Sequence, residues 1–127
     1  MEIEVFDSKS ARATRIYKPS ISISKIGVFT LNKLAVEALN LVAGNTISLV
    51  RDKSNPRDWY IMRDHSGITL RQVDNGCLAF NSGLIRSLMH DSFGNESKNG
   101  RMRFPVSKEP VQFKDKIMYA IITSKQL

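Results

Sequence analysis

The chain has 127 residues, enough for one domain with a hydrophobic core, and hydrophobic residues make up 42% of it, which argues against intrinsic disorder. The longest apolar run, Ile117–Ile122, is too short to cross a bilayer, and the first residues lack the pattern of a signal peptide. The single cysteine, Cys77, excludes an internal disulfide framework and a multi-cysteine zinc site. We therefore expect one compact domain, residues 1–127, in the cytoplasm and away from membranes.

Positive charge dominates, with 19 Lys and Arg against 12 Asp and Glu and a net charge of +7. The chain has no acidic residue between Asp7 and Glu37, nor between Glu96 and Glu109. Such stretches favour a polyanionic partner, duplex DNA above all, although a solvated surface is the plainer alternative. Part of the first stretch, residues 8–19, is small and polar and indicates a basic arm or loop. The candidate nucleic-acid-binding residues are Lys9, Arg12, Arg15, Lys18, Lys25, Lys33, Lys98, Arg101, Arg103 and Lys108.

The first elements are short strands followed by a helix. Residues 2–6 alternate polar and apolar, residues 20–24 alternate strictly, and β-favouring residues resume at 28–31 after Gly27. The apolar period then changes to three and four residues, which predicts a helix with Asn32 as its N-cap.

Later elements alternate between strands and turns. Strands are predicted at 46–50, 59–63, 68–73 and 77–80, and the Asp74-Asn75-Gly76 sequence predicts a tight turn. A second short helix follows over 82–90, then a polar loop over 93–100. Residues 104–106 are predicted to be extended, and 116–123 to form a buried final strand. Seven to nine strands and two helices make the fold α+β and mostly β.

Two segments of the chain match without a gap. Residues 27–39 and 76–88 share Gly, Asn and Leu at the first, sixth and thirteenth places, with largely coincident apolar positions. Each segment describes a turn, a strand, a cap and a helix. We interpret the match as two half-repeats, residues 20–52 and 69–122, packed as a pseudo-dimer. The prediction is that Gly27 and Gly76 occupy equivalent turns and that Asn32 and Asn81 both cap helices.

The first segment and its continuation through Gly44 to Val50 resemble the AbrB/SpoVT-like swapped-hairpin domain of bacterial transition-state regulators and MazE-type antitoxins. The resemblance covers about residues 20–52 and implies a small β-barrel, formed by two units, that presents basic loops to DNA. A second copy is suggested at about 69–122. The matching residues are Lys25, Gly27, Leu39, Leu41, Gly44, Ile47 and Leu49.

Four positions depart from the family pattern. Asn32 replaces a helix-initiating proline, Asn40 a glycine and Asn45 an aspartate, and all three suit a cap or a turn. Val36 stands where a helix arginine is common, so the family's mode of DNA contact does not carry over in full. Lys25 and the upstream basic residues are the positions that do carry over.

No arrangement of residues predicts catalysis. His65 and His90 each have a neighbouring aspartate but no further ligand at metal-binding spacing. Cys77 has no basic partner that would activate its thiol. We therefore expect no enzyme activity, metal or cofactor.

The leading hypothesis is a non-enzymatic DNA-binding protein, a transcriptional regulator that contacts phosphates through its basic stretches. One alternative is an antitoxin-like interaction or assembly module, with a homodimer or another protein as its partner. A second alternative is a single-stranded nucleic-acid binder in which Trp59 and Tyr60 stack on bases.

Overall fold

The computed structural model describes residues 1–3, 18–94 and 100–127. The predicted strand at 2–6 and the basic arm at 8–19 therefore lie mostly outside the described residues. The strands are β1 (Ser20–Ile23), β2 (Val28–Leu31), β3 (Thr46–Arg51), β4 (Trp59–Arg63), β5 (Ile68–Thr69), β6 (Arg71–Gln72), β7 (Leu78–Asn81), β8 (Met102–Phe113) and β9 (Lys116–Ile121). The helices are α1 (Lys33–Ala38) and α2 (Gly83–Phe93), and Asp74–Gly76 forms a single 3-10 turn.

The nine described strands form one antiparallel sheet that is nearly closed into a barrel. Their order is β5-β3-β4-β9-β8-β1-β2-β7-β6. The first and last strands of this order are separated in the chain by Leu70 alone, whose N–H donates to the Asn45 carbonyl and whose carbonyl accepts from the Gly44 N–H. One segment, residues 68–72, thus bridges the two ends of the sheet. The fold is α+β and mostly β, as the sequence predicts.

The barrel interior is filled by the inward-facing side chains of alternating strand positions. Phe29 and Phe80 are cross-strand partners on β2 and β7, and their rings stack with centroids 4.8 Å apart. Phe93, at the end of α2, packs edge-on against Phe104 of β8 at 5.4 Å. All four side chains are almost fully buried, so the aromatic residues tie α2 and the strands β2, β7 and β8 to one core.

The strand order has an internal twofold character. Residues 20–63, the first unit, contain two strands, a helix and two strands. Residues 68–121, the second unit, repeat that order when β5 and β6 are counted as one strand interrupted at Leu70. The corresponding strands are β1 and β5–β6, β2 and β7, β3 and β8, and β4 and β9. If each strand is replaced by its counterpart, the order around the barrel is the same but runs in the opposite direction. The first strand of each unit pairs with the third strand of the other, β1 with β8 and β5 with β3. The two units therefore interleave within one barrel.

The predicted equivalence of the two segments holds for the glycine turns. Gly27 and Gly76 both have positive φ, +88° and +76°, a conformation that glycine adopts without strain. In each hairpin a backbone N–H closes the turn on the carbonyl four residues on, Ser24 to Val28 and Val73 to Cys77. These hydrogen bonds are 49 residues apart, which is the spacing of the sequence match.

The predicted equivalence of the two caps is wrong at Asn81. Asn32 caps α1, since its Oδ1 accepts from the Ala35 N–H at 2.9 Å. Asn81 is instead the last residue of β7, and Ser82 Oγ accepts from the Ile85 N–H to cap α2. Serine and asparagine cap helices about equally well, so adjacent residues of these types do not fix the first helical residue.

Three elements differ in length from the prediction. The strand predicted at 68–73 is interrupted at Leu70, where the chain passes from one end of the sheet to the other. The helix α2 continues to Phe93. The strand β8 extends from Met102 to Phe113, far beyond the predicted 104–106, and its outer part forms with β9 a hairpin whose side chains are mostly exposed.

Candidate nucleic-acid interface

The two acid-free stretches of the sequence meet in the structure as neighbouring strands. β1 lies in the first stretch and β8 begins in the second, and they pair from Ser20 opposite Pro105 to Ile23 opposite Met102. Cations that are far apart in the sequence therefore share one side of the barrel. Across β1, β2 and the first half of β8 no acidic side chain is present.

A groove of about 390 Å³ lies on the outer surface of these three strands. Arg101 and Arg103 line it together with Ser22, Ser24 and Thr30. The register places Thr30, Ser22 and Arg103 side by side on adjacent strands. Guanidinium groups donate to phosphate oxygens in a bidentate manner, and hydroxyls supply further donors, so this row suits a phosphate backbone.

Lys25 lies at the same end of the barrel as this groove. It is exposed in the turn between β1 and β2. Its aliphatic stem lies against Gly100, because a Cβ placed on that glycine would be 3.2 Å from Lys25 Cγ. Gly100 directly precedes Arg101, so Lys25 adds a third cation beside the two arginines.

Lys18 and Lys33 lie at the opposite end of β2, around the side chain of Asn32. The Asn32 Nδ2 donates to the Lys18 carbonyl at 2.7 Å, and its Oδ1 accepts from the Ser20 N–H at 3.0 Å. Lys33 follows Asn32, and its stem lies 3.4 Å from where a Gly76 Cβ would be. A strand of four residues is about 13 Å long, so these lysines are separated from the groove by roughly that distance.

The remaining candidates divide in the same way. Lys108 is exposed on β8 just beyond Val106, whose N–H donates to the carbonyl of Pro19. It therefore lies at the Lys18 end of the barrel. The structure thus groups Lys25, Arg101 and Arg103 around the groove and places Lys18, Lys33 and Lys108 toward the other end. Four candidates, Lys9, Arg12, Arg15 and Lys98, lie outside the described residues.

The groove includes three hydroxyl side chains that the sequence analysis did not select. Ser22 and Ser24 belong to the alternating segment that predicted β1, and Thr30 belongs to β2. The alternation indicated that one face of the strand is apolar and buried. The same alternation places the serines on the outer face. It is the feature of the sequence from which these serines could have been predicted to lie on the surface.

The stacking hypothesis is wrong for Trp59. Its side chain is only 3% exposed, and on β4 it lies beneath the Arg51 guanidinium, 5.3 Å from the ring centroid. Tyr60 is half-buried on the other face of the same strand. An indole that is covered by its own chain offers no surface to an unpaired base.

Asp64 is a hydrogen-bonded carboxylate in the turn after β4. Hydrogen bonds from the Ser48 hydroxyl at 2.8 Å, the Ser66 N–H and the Ser66 hydroxyl stabilise its ionised form, and Lys116 lies 3.5 Å away. These groups lower the pKa of Asp64 from 3.8 to about 2. The carboxylate joins β3, the turn after β4 and the start of β9, which is a structural role.

Replacing Asp64 with Asn is expected to destabilise the protein most near neutral pH. Because the pKa in the folded state lies below the unfolded value, ionised Asp64 stabilises the fold above about pH 4. That stabilisation is lost as the pH falls toward 2, so the difference between wild type and Asp64→Asn should shrink. Urea unfolding of both proteins at pH 6 and pH 2.5 measures it. A difference that stays constant would contradict this account.

Metal-ligand clusters and membrane-spanning helices were both looked for among the described residues. No three His, Cys, Asp or Glu side chains among them lie close enough to hold a metal ion. Neither α1 nor α2, the helices of the described part of the chain, has the length and apolar character needed to cross a bilayer.

Comparison of the chain with known proteins gave no match. No family model matches the chain, and neither curated proteins nor solved structures gave a similar protein.

Proposed function

We propose that the protein is a non-enzymatic DNA-binding protein, a transcriptional regulator that holds duplex DNA by its phosphates. The observation that carries the proposal is the pairing of β1 with β8, which joins the two acid-free basic stretches on one side of the barrel. Among the described residues, the cations around the groove are Arg101, Arg103 and Lys25. Neighbouring cations with no acid between them raise the local potential that attracts a polyanion.

The same arrangement supports a relationship to swapped-hairpin regulators. In the proposed relationship, the two units of this chain correspond to the two subunits that form one barrel in the AbrB/SpoVT-like family. The exchange of first and third strands between the units favours this view. A barrel completed within one chain needs no second copy to close, so we propose that a monomer binds DNA.

Unequal charge at the two equivalent junctions between the units argues for an asymmetric contact. Arg103 on β8 lies opposite Ser22 on β1, and at the counterpart junction Gly44, just before β3, takes the place of Arg103. Arg71, the counterpart of Ser22, donates to Asn81. The junction of β1 with β8 would therefore provide most of the phosphate contacts, and a palindromic target is not expected.

A second candidate function, a protein assembly module, is favoured by a different observation. The hairpin formed by the outer part of β8 and the start of β9 exposes three large apolar side chains. Their exposed fractions are 40% for Val111, 52% for Phe113 and 53% for Ile117. Val111 and Phe113 share one face of the hairpin and Ile117 lies on the other. Exposed apolar side chains of this size are typical of surfaces that contact another protein.

The dependence of binding on salt distinguishes the two functions. If Lys25, Arg101 and Arg103 each neutralise one phosphate, the slope of log K against log salt should be about −3 or steeper. Fluorescence anisotropy with labelled duplexes of unrelated sequence, from 50 to 300 mM salt, measures this slope. Absence of binding at the lowest salt would remove the proposed function and leave the assembly module.

A further inference from the structure

A second cavity in the described structure lies apart from the basic surface. It has a volume of about 830 Å³ and lies between the end of α1, the turn after β4 and the tip of the β8–β9 hairpin. The apolar part of its wall is formed by Leu39, Ile117 and Tyr119. The charged and polar residues at its rim are Arg63, Asp64, His65, Asp115 and Lys116. Nothing in the proposed contact with DNA uses these residues.

The counterpart of this place, by the exchange of the two units, holds a helix end. There the tip of the β3–β4 hairpin faces the end of α2, and Arg57 connects the two. Its Nη1 donates to the Ser92 carbonyl at 3.2 Å, and its guanidinium lies 4.7 Å from the centroid of the Phe93 ring. Phe93 in turn packs against Phe104 of β8. A helix end with an aromatic side chain therefore closes this side of the barrel.

The first unit lacks each of these parts. The helix α1 ends at Ala38, whereas α2 is five residues longer, and Asn40 turns the chain away with φ of +53°. Phe104 lies opposite Ile21, and the residue opposite Leu70, the equivalent of Ile21, is Asn45. Asparagine thus stands where the second unit has a phenylalanine, and it lines the cavity.

The charges around the cavity suit the end of a helix. The last carbonyls of a helix have no internal partners and carry partial negative charge, which cations stabilise. Arg63 forms neither a salt bridge nor a side-chain hydrogen bond with any described residue, so its donors are available. Of the two acids, Asp64 is engaged by Ser48, Ser66 and Lys116. Asp115 at the hairpin turn is exposed, and His65 faces the same opening.

We propose that this cavity is a docking site for the C-terminal turn of an amphipathic helix from a partner protein. An aromatic side chain of that helix enters between Leu39, Ile117 and Tyr119, as Phe93 enters in the other unit. Its terminal carbonyls face Arg63, as the Ser92 carbonyl faces Arg57. The exposed Ile117 becomes buried on binding, which gives its exposure a physical reason.

The chain supplies its own probe for the test. A synthetic peptide of residues 83–94 carries the helix end that fills the second unit. Ser87 and Asp91 are exposed and one turn apart, so Ser87→Lys in the peptide allows a lactam bridge to Asp91 that stabilises the helix. Titration of the full-length ¹⁵N-labelled protein should shift the amide signals of Asn45, Ile117 and Tyr119. The same peptide with Phe93→Ala should bind at least tenfold more weakly.

Two protein variants form the matched control. Ile117→Asp places a charge in the cavity wall and should weaken the lactam peptide at least tenfold. Val111→Asp changes a similarly exposed residue on the opposite face of the same hairpin and should leave binding unchanged. The proposal is overturned if the peptide causes no shifts at millimolar concentration, if its shifts lie outside the cavity, or if both variants weaken it equally.

Discussion

Replacing Phe29 with Ala is expected to lower the free energy of unfolding by about 3–5 kcal/mol, the usual cost of removing a fully buried aromatic ring. Phe29 is fully buried and stacks on Phe80, its cross-strand partner, at the junction of the two units. The cavity left behind would separate β2 from β7, one of the strand pairs through which the units meet. A domain of this size is commonly stable by 5–15 kcal/mol, so the change would consume much of the total.

Urea unfolding followed by far-ultraviolet circular dichroism measures the change. Phe113→Ala is the matched control, because Phe113 is 52% exposed at the hairpin tip and its loss should alter stability by less than about 0.5 kcal/mol. A double-mutant cycle with Phe80→Ala should give a coupling of about 0.5–1.5 kcal/mol for the ring pair. A cost below about 1 kcal/mol for Phe29→Ala would contradict the described core.

Gly67→Ala is expected to destabilise the protein by about 1–3 kcal/mol, the range for forcing extra atoms into a packed site. Gly67 precedes β5, and a Cβ at this position would overlap the backbone of Ile47 on β3. The overlap can be relieved only if β5 moves away from β3. This pairing attaches β5, the first strand in the order of the sheet, to the rest of the barrel. The expected damage is therefore to barrel closure as well as to stability.

Gly83→Ala provides the control for this prediction. Gly83 begins α2 and no atom lies within 4 Å of the position of its Cβ. Alanine there should stabilise the protein slightly, by up to about 1 kcal/mol, because it restricts the unfolded chain. Thermal unfolding of the two variants should shift the midpoint in opposite directions. Equal shifts would show that the close approach of Gly67 to Ile47 is absent.

The strands that the sequence predicts well are those with clear alternation and clear turns. The bounds of β4 are those predicted, and β1 and β2 agree within a residue. Gly27 and the Ser-Asn-Pro-Arg-Asp sequence at 54–58, which has the composition of a turn, separate these short β-favouring runs. β8 was missed over most of its length because Pro105 and Pro110 interrupt its pattern. Between Val106 and Pro110 its register with β9 shifts, and proline is tolerated at such irregularities.

The candidate site was predicted only in part, for a physical reason. Charge statistics identify the two acid-free stretches, but they contain no information on which strands become neighbours. The pairing of Ser20 with Pro105 is a long-range contact that depends on the interleaving of the two units. For the same reason the sequence did not predict that Lys33 would lie against Gly76, away from Arg101 and Arg103.

The central claim is that the surface where β1 meets β8 binds DNA, and a paired charge substitution tests it most directly. Arg101→Ala with Arg103→Ala removes two cations from the groove. Lys53→Ala with Lys114→Asn removes the same charge from exposed turns elsewhere, and asparagine tolerates the positive φ of Lys114. The measurement is the salt slope of duplex binding for the two variants and the wild type. We predict that the arginine variant flattens the slope by about 2 and weakens binding to all sequences alike, while the control keeps the wild-type slope. Equal losses in the two variants would contradict the claim, because binding would then follow net charge and not this surface.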